Sequence, residues 1–333
     1  MTRAVRATST YHPSRVKGPT NPSSSKIRFE IPKDREMVQL EFGDRTVKLT
    51  NLQKQFWPKL GMKKRDLLQY YIDMSHVLLP HLQDRAMVMK RYPNGAGADF
   101  FFMKHAPTPR PDWIEICSIE HSSGNIIDFP VVRDLPTLLW TINLGCIDLN
   151  QWYARCDDVD RPDYVNFDLD PVPGAGFRKV RETALLVRDA LARMKMPSYA
   201  KTTGATGMHV YVPIVRGPIQ KQVWTFAKSV AQTLASERPG LITSEYQIAR
   251  RPRGHVLVDY NQNAWGRTLA SVYSLRPTPK ATVSMPVTWE EVERGFEIAD
   301  FRIDNVPERI QELGDLWKPL TQKRGRIKLE QHL

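Results

Sequence analysis

Two aspartates raise the first chemical question. In "YVNFDLDP", Asp168 and Asp170 stand one residue apart inside an apolar run with the character of a strand. Successive side chains of a strand point to opposite faces. Val165, Phe167 and Leu169 therefore turn toward a core, and Asn166, Asp168 and Asp170 turn the other way. At a rise of about 3.3 Å per residue the two carboxylates start about 7 Å apart at Cα. From there they can converge on a pair of divalent cations about 3.5–4 Å apart. Without cations the pair is repulsive; with Mg²⁺ or Mn²⁺ it is a hard-oxygen site. The alternative is a solvated strand edge whose charges prevent pairing with a neighbour.

Other segments add to the metal reading. "VLVDYNQN" ends a second strand with Asp259, a candidate third ligand. Between the two lies "KTTGATGMHVYVP", whose Gly-rich turn offers backbone N–H groups to an anion. Lys201 before the turn and His209 after it are possible further donors to a phosphate. An ordinary hairpin and a cross-strand hydrogen bond are the plain alternatives. The turn lacks the Lys-Ser/Thr of a P-loop and is not a dinucleotide fingerprint. Three carboxylates and an anion cradle together suggest phosphoryl transfer with two metal ions.

The elements that must hold these residues follow from the periodicity. Residues 164 to 260 read as strand, helix, strand, strand, helix, strand, the split βαβ order of ferredoxin-like and RNA-recognition-motif folds. Upstream, "MVQLEF" and "RTVKLT" form a hairpin over Gly43-Asp44. "KKRDLLQYYIDMSHVLL" is a helix that Pro80 ends. "AMVMKRY", "DFFFMKH" and "NIIDFPVV" are strands, and "LPTLLWTINLGCIDL" is one buried helix. Residues from 286 on form a small helical tail.

Composition narrows the partner. The 333 residues carry 48 Lys and Arg against 36 Asp and Glu, a net charge of +12. Such an excess favours a polyanion, nucleic acid first, over a merely solvated surface. The three cysteines are scattered, with no Cys-x-x-Cys pair for a zinc site. No apolar run approaches the roughly 20 residues of a membrane span, and no secretory leader is visible, so a cytoplasmic, nucleoid-associated protein is expected. Residues 1–26 contain five basic and no acidic residues and read as a flexible arm or tail.

"FDLDP", "TTGATGMHVYVP" and "VLVDYNQN", in that order, resemble the three motifs of archaeo-eukaryotic primase-type polymerases. The resemblance is nearest to the polymerase domain of bacterial DNA ligase D and its stand-alone primase-polymerase relatives, and runs from about Leu49 to Trp289. No ligase lysine motif is present, so a stand-alone polymerase is expected. The resemblance implies an α+β primase-polymerase fold, an RRM-like catalytic sheet packed with a second α/β subdomain around a cleft. The expected boundaries are an arm over 1–35, a catalytic domain over 36–300 with subdomains 36–160 and 161–285, and a tail over 301–333.

The same resemblance implies roles. Asp168, Asp170 and Asp259 would bind two Mn²⁺ or Mg²⁺ ions and carry catalysis. Lys90, Thr203, Gly204, Gly207, His209, Arg253 and Arg276 would hold the incoming NTP or dNTP. Lys54 and Lys64 would take the 5′-phosphate on the downstream strand of gapped or broken DNA, and Phe101 and Phe102 would stack on template bases, with Phe100 in the core. The implied activity is template-dependent addition of preferentially ribonucleotides at short gaps or break ends in DNA repair, alongside a DNA ligase and an end-binding protein. Primer synthesis, an Asp-x-Asp glycosyltransferase and a non-catalytic DNA-end-binding module are the rivals. Three positions depart from the family pattern: Asn150 stands where a histidine is frequent, Thr206 replaces a lysine, and Thr278 replaces an arginine that Lys280 stands near.

Overall fold

Alternation of apolar and polar residues builds the first hairpin. In the computed structural model, which describes residues 29–333, β1 (Val38–Phe42) and β2 (Arg45–Leu49) pair over Gly43-Asp44 with Leu40 opposite Val47, both buried. Residues 1–28, most of the expected basic arm, lie outside the described residues. A small pair, β3 (Gln55–Trp57) and β4 (Met62–Lys63), leads into α1 (Lys64–Leu82). The helix runs through Pro80 instead of ending there. Pro80 and His76 are both exposed, so the His76 carbonyl that loses its helical donor can turn to water.

Next come β5 (Met87–Arg91), β6 (Phe101–Met103) and the hairpin of β7 (Ile116–Glu120) with β8 (Ile126–Pro130). The expected single helix over "LPTLLWTINLGCIDL" divides. Helix α2 (Leu135–Asn143), capped by Asp134 accepting from the Thr137 N–H at 3.0 Å, stops before Gly145, which has φ +84°. Strand β9 (Cys146–Trp152) follows. A left-handed residue breaks the helix, and an apolar run too uniform to show a period hides the change.

The second half contains β10 (Ala154–Arg155), β11 (Asp158–Pro162), β12 (Tyr164–Pro171), α3 (Phe177–Arg193), β13 (Tyr199–Thr202), β14 (Met208–Pro213) and α4 (Gln220–Glu237). It ends with β15 (Ile242–Thr243), β16 (Val256–Asp259), β17 (Thr268–Ala270), β18 (Pro286–Val287), α5 (Trp289–Arg294), α6 (Val306–Leu313) and α7 (Lys318–Thr321). One six-stranded sheet has the order β15-β16-β12-β14-β13-β18, and a four-stranded sheet has the order β17-β9-β5-β6. Within the larger sheet the strands of the βαββαβ run lie fourth, first, third, second, and pair antiparallel. This is the split βαβ arrangement read from the sequence. Helices α3 and α4 pack on this sheet, and Val165, Phe167 and Leu169 are fully buried. Each such side chain contributes about 1.5–3 kcal/mol by leaving water.

One continuous apolar core joins the two sheets. A smaller cluster around Cys117, Phe129, Trp152 and Cys156 seats the β7–β8 hairpin. The last 33 residues fold back on the larger sheet. Trp317 donates from Nε1 to Ala200 O at 3.0 Å, Ile327 bridges to Ile214, and Leu329 is buried.

Candidate active site

Strand β12 lies inside its sheet, between β14 and β16, so the solvated-edge alternative for the two aspartates does not hold. Pairing sets a row across the sheet: Asp259 opposite Asp168, Asp168 opposite His209, His209 opposite Lys201. Asp170 lies two residues along β12. Asp168 is only 5% exposed. Burial, then Asp259, pushes its carboxyl up to about 7. The Asp170 carboxyl rises to about 7 first because of Asp168, then by burial. Both shifts have the sign of a site that is short of positive charge.

Among the described residues, no group of three His, Cys, Asp or Glu side chains is already arranged to hold a metal ion. The Asp259 carboxylate accepts from the Asn261 N–H at 2.8 Å and from Gln262 Nε2 at 3.1 Å. Asp168 Oδ1 is buried without an aligned donor, although His209 Nε2 stands 3.1 Å away. That atom and the all-oxygen character of the three carboxylates fit a hard divalent cation. His209 is 2% exposed, and burial followed by Lys201 holds its ring well below the usual histidine range. The ring is therefore a neutral group beside Asp168, not a charge.

The Gly-rich turn is organised by a side chain. Thr203 Oγ1 accepts from the N–H groups of Ala205, Thr206 and Gly207 at 3.0–3.2 Å, and Thr202 Oγ1 accepts from Gly204 N at 3.2 Å. The expected free N–H cradle is therefore already filled by two hydroxyls. Gly207 is required for close approach: a Cβ there would collide with Leu169 O and stand 3.2 Å from Asp170 Oδ1. Gly204 has φ +69°, and its Cβ would meet Arg276 Cγ at 2.7 Å.

The basic residues divide. Arg276 donates from Nη1 to Thr203 O at 2.7 Å and lies 3.0 Å from Asp148 Oδ1. Lys90 lies 3.4 Å from Asp148 Oδ2 and 4.0 Å from the Phe100 ring centre. Arg253 is exposed, and Arg251, two residues earlier, joins Arg276 as an arginine whose charge reaches Asp170. Lys201 does not serve a phosphate. It is fully buried, donating to Ala270 O at 3.1 Å and Ser284 Oγ at 2.5 Å. Asp148 and Arg251 escaped the sequence reading. A lone aspartate in the apolar "GCIDL" was the signal available for the first, and nothing marked the second.

The turn β3–β4 brings Lys54 and Lys64 together, with Lys64 N donating to Lys54 O at 2.8 Å. The Lys54 ammonium donates to Asn94 Oδ1 at 2.9 Å. Lys64 Nζ is buried and bonds Thr50 O, Asn143 O and Asn143 Oδ1 at 2.6–2.9 Å. All three of its donors are engaged, so an anion must compete for them. Burial, then Lys54, lowers this ammonium to about 8. Phe101 and Phe102 are exposed, and so is Phe100, which was expected in the core. Phe100 and Phe102 meet edge to face at 5.8 Å.

The model of the LigD primase-polymerase domain matches residues 63–317. The chain belongs to the LigD primase-polymerase family. The match ends at Trp317, beyond Trp289 where the motif resemblance stops, so it takes in about half of the folded-back tail. The chain is 33% identical over 276 residues to the multifunctional non-homologous end joining protein LigD of Mycolicibacterium smegmatis, covering 82% of this chain and 36% of that one. It is 31% identical over 269 residues to the bifunctional LigD of Bacillus subtilis, covering 80% and 43%. It thus spans less than half the length of these relatives. A solved polymerase domain of Mycobacterium tuberculosis Ligase D, in complex with DNA, superposes with a TM-score of 0.78 at 30% identity, covering 83% of this chain and 98% of that one. The LigD membership gives the α+β primase-polymerase fold and the class of nucleotidyl-transferring, template-dependent polymerase.

The departures from the LigD pattern have local partners. Asn150 donates from Nδ2 to Asp148 O at 3.2 Å. Thr206 is exposed at the tip of the turn. Thr278 Oγ1 lies 2.7 Å from Thr282 Oγ1, a side-chain bond that an arginine there would replace. Among the described residues no helix is long and apolar enough to cross a membrane.

Proposed function

We propose that the chain extends primer 3′-hydroxyl ends at short gaps and broken DNA ends, within non-homologous end joining, using ribonucleotides in preference to deoxynucleotides. The observation that carries the reading is the cross-strand pair Asp168–Asp259 with Asp170 alongside, bordered by the Gly-rich turn. Asp168, Asp170 and Asp259 are the residues that would hold Mn²⁺ or Mg²⁺. Such ions, when bound, supply Lewis acidity that lowers the pKa of the 3′-hydroxyl and offsets charge on the leaving pyrophosphate.

Lys90 and Arg276 bind and orient the triphosphate, Lys as a point charge and Arg as a planar fork. Thr203 holds the Gly-rich turn against that site, and neutral His209 stands beside Asp168, its Nε2 3.1 Å from Oδ1. Fixing the phosphates in this way converts binding into orientation of the reacting atoms. Phe101 and Phe102, with Phe100, form an exposed stacking surface for template bases, which contributes about 1–3 kcal/mol per base. Lys54 and Lys64 take the downstream 5′-phosphate. A cytoplasmic location and a ligase and end-binding protein as partners accompany the same reading.

The test is primer extension on gapped, overhanging and primer-free templates, with NTPs and dNTPs, in Mn²⁺ and in Mg²⁺. Extension confined to primed, gapped or end substrates, faster with NTPs, is the expected result. Product on primer-free template would move the reading to primer synthesis. No product from any template would remove it.

A further inference from the structure

Asp148 is buried at 1% exposure where no core residue needs a charge. It lies on β9, directly opposite Lys90 of β5. Its two oxygens serve two different cations: Oδ2 is 3.4 Å from Lys90 Nζ, and Oδ1 is 3.0 Å from Arg276 Nε. The Tyr92 hydroxyl also donates to Oδ2 at 3.4 Å. The Arg276 contact has ion-pair distance but not hydrogen-bond alignment, since both atoms lack an aligned partner. It is a charge contact, and the hydrogen bond from Nη1 to Thr203 O at 2.7 Å is what aligns the guanidinium.

We infer that Asp148 is a positioning residue that fixes the spacing of Lys90 and Arg276 for two phosphates of the incoming nucleotide, an inference that rests on the polymerase reading above. The side chains of Lys90 and Arg276 are 18% and 19% exposed, against 2% for that of Asp148. The carboxylate is thus behind the cations and the solvent in front of them. Two cations this close repel, and a carboxylate between them offsets that repulsion. One negative charge against two positive leaves a surplus directed outward, where a polyanion approaches. Each cation has a second restraint, Lys90 the Phe100 ring at 4.0 Å and Arg276 the Thr203 carbonyl at 2.7 Å. Asp148 thereby links the sheet bearing the exposed phenylalanines to the Gly-rich turn. A buried ion cluster that serves only stability would have the same contacts but no effect on nucleotide affinity.

The experiment measures steady-state extension of gapped DNA over a range of nucleotide concentration for the full chain, Asp148→Asn, Lys90→Met and the double variant, with melting curves for each. For folded Asp148→Asn, KM for the nucleotide should rise at least about fivefold with kcat within about twofold, the pattern of lost binding that is shared by ground and transition states. Binding of gapped DNA without nucleotide should not change. In the Lys90→Met background the Asp148→Asn effect should shrink to less than half on a logarithmic scale, because part of it acts through Lys90. A wild-type KM in folded Asp148→Asn, or the same factor in both backgrounds, overturns the inference. If Asp148→Asn does not fold, the cycle is run with Lys90→Met and Arg276→Lys. KM effects that fail to multiply then support the link through Asp148, and effects that multiply overturn it. Failure of the wild-type chain to add any nucleotide would sink the polymerase reading itself, and the inference with it.

Discussion

Asp168 and Asp259 are direct cross-strand partners on two neighbouring strands inside the larger sheet. Like charges in that relationship are destabilising. Asp168→Asn or Asp259→Asn should therefore raise the melting temperature of the metal-free protein, on the order of 1 kcal/mol or a few degrees, while abolishing nucleotide addition. Calorimetry in a chelator, paired with primer extension, measures both. A lower metal-free melting temperature in both variants would refute the repulsion.

Acid should favour the metal-free fold. The carboxyls of Asp168 and Asp170 are raised to about 7 from an unfolded value of 3.8. The folded chain then binds more protons than the unfolded chain between those limits, so their contribution is complete below about 3.8 and is lost as pH rises through about 7. Metal-free melting temperature should fall from pH 5.5 to 7.5 (about one buffer series), relative to Asp168→Asn with Asp170→Asn. Added Mn²⁺ should stabilise most at the upper end of that range and least at the lower, since it competes with protons for the same oxygens. A metal-induced shift that is constant across the series would count against the proposed ligands.

Recognition of a 5′-phosphate should weaken toward alkaline pH. Lys64 loses its proton near 8, so its charge is present below that value and absent well above it. The affinity ratio between gaps with a 5′-phosphate and a 5′-hydroxyl should decline from pH 7 to 9 in wild type and stay small and flat in Lys64→Met. Fluorescence anisotropy at fixed salt gives the ratio. It should also shrink as salt rises, because the contact is electrostatic. Equal affinities at pH 7 would leave Lys64 as an internal tie between α1 and Asn143.

Gly207→Ala should be among the costliest single-methyl additions. The new Cβ meets a backbone carbonyl, Leu169 O, rather than a flexible side chain. Overpacking of this kind costs about 1–3 kcal/mol. Because the obstructing strand carries Asp168 and Asp170, activity should fall more than the melting temperature alone explains. Thermal melts and extension rates together test this, and a variant with wild-type values in both would contradict the close approach.

The elements that carry the catalytic pattern were legible because their local signals agree with the fold. Alternation marks β12, Gly marks the turn after β13, and the long amphipathic patterns of α3 and α4 are unambiguous. The α2–β9 boundary was hidden because Leu138 to Leu149 is apolar almost throughout, and only the left-handed Gly145 divides it. Asp168 and Asp170 were legible together because strand spacing is local, and Asp259 joined them through the order of the three motifs. Other partners distant in sequence were not legible. Asp148 gains meaning only beside Arg276, and Lys201 turns to Ala270 O and Ser284 Oγ rather than toward a ligand. Phe100 was expected in the core because a run of three phenylalanines ordinarily buries at least one, yet its ring shares the surface with its neighbours and lies under Lys90.

Thr203 holds the Gly-rich turn in shape with its own hydroxyl, which gathers three N–H groups that an anion would otherwise order. The loss of conformational freedom in residues 203–207 therefore falls on folding and not on the encounter with a nucleotide. On the proposed reading, a triphosphate would meet a loop already ordered, which it could contact or leave without remaking it. Exchange of one nucleotide for another would then be limited by breaking contacts, not by refolding a loop. Under the proposed polymerase function, a turn ordered in advance by Thr203 would serve rapid rejection of a wrong nucleotide.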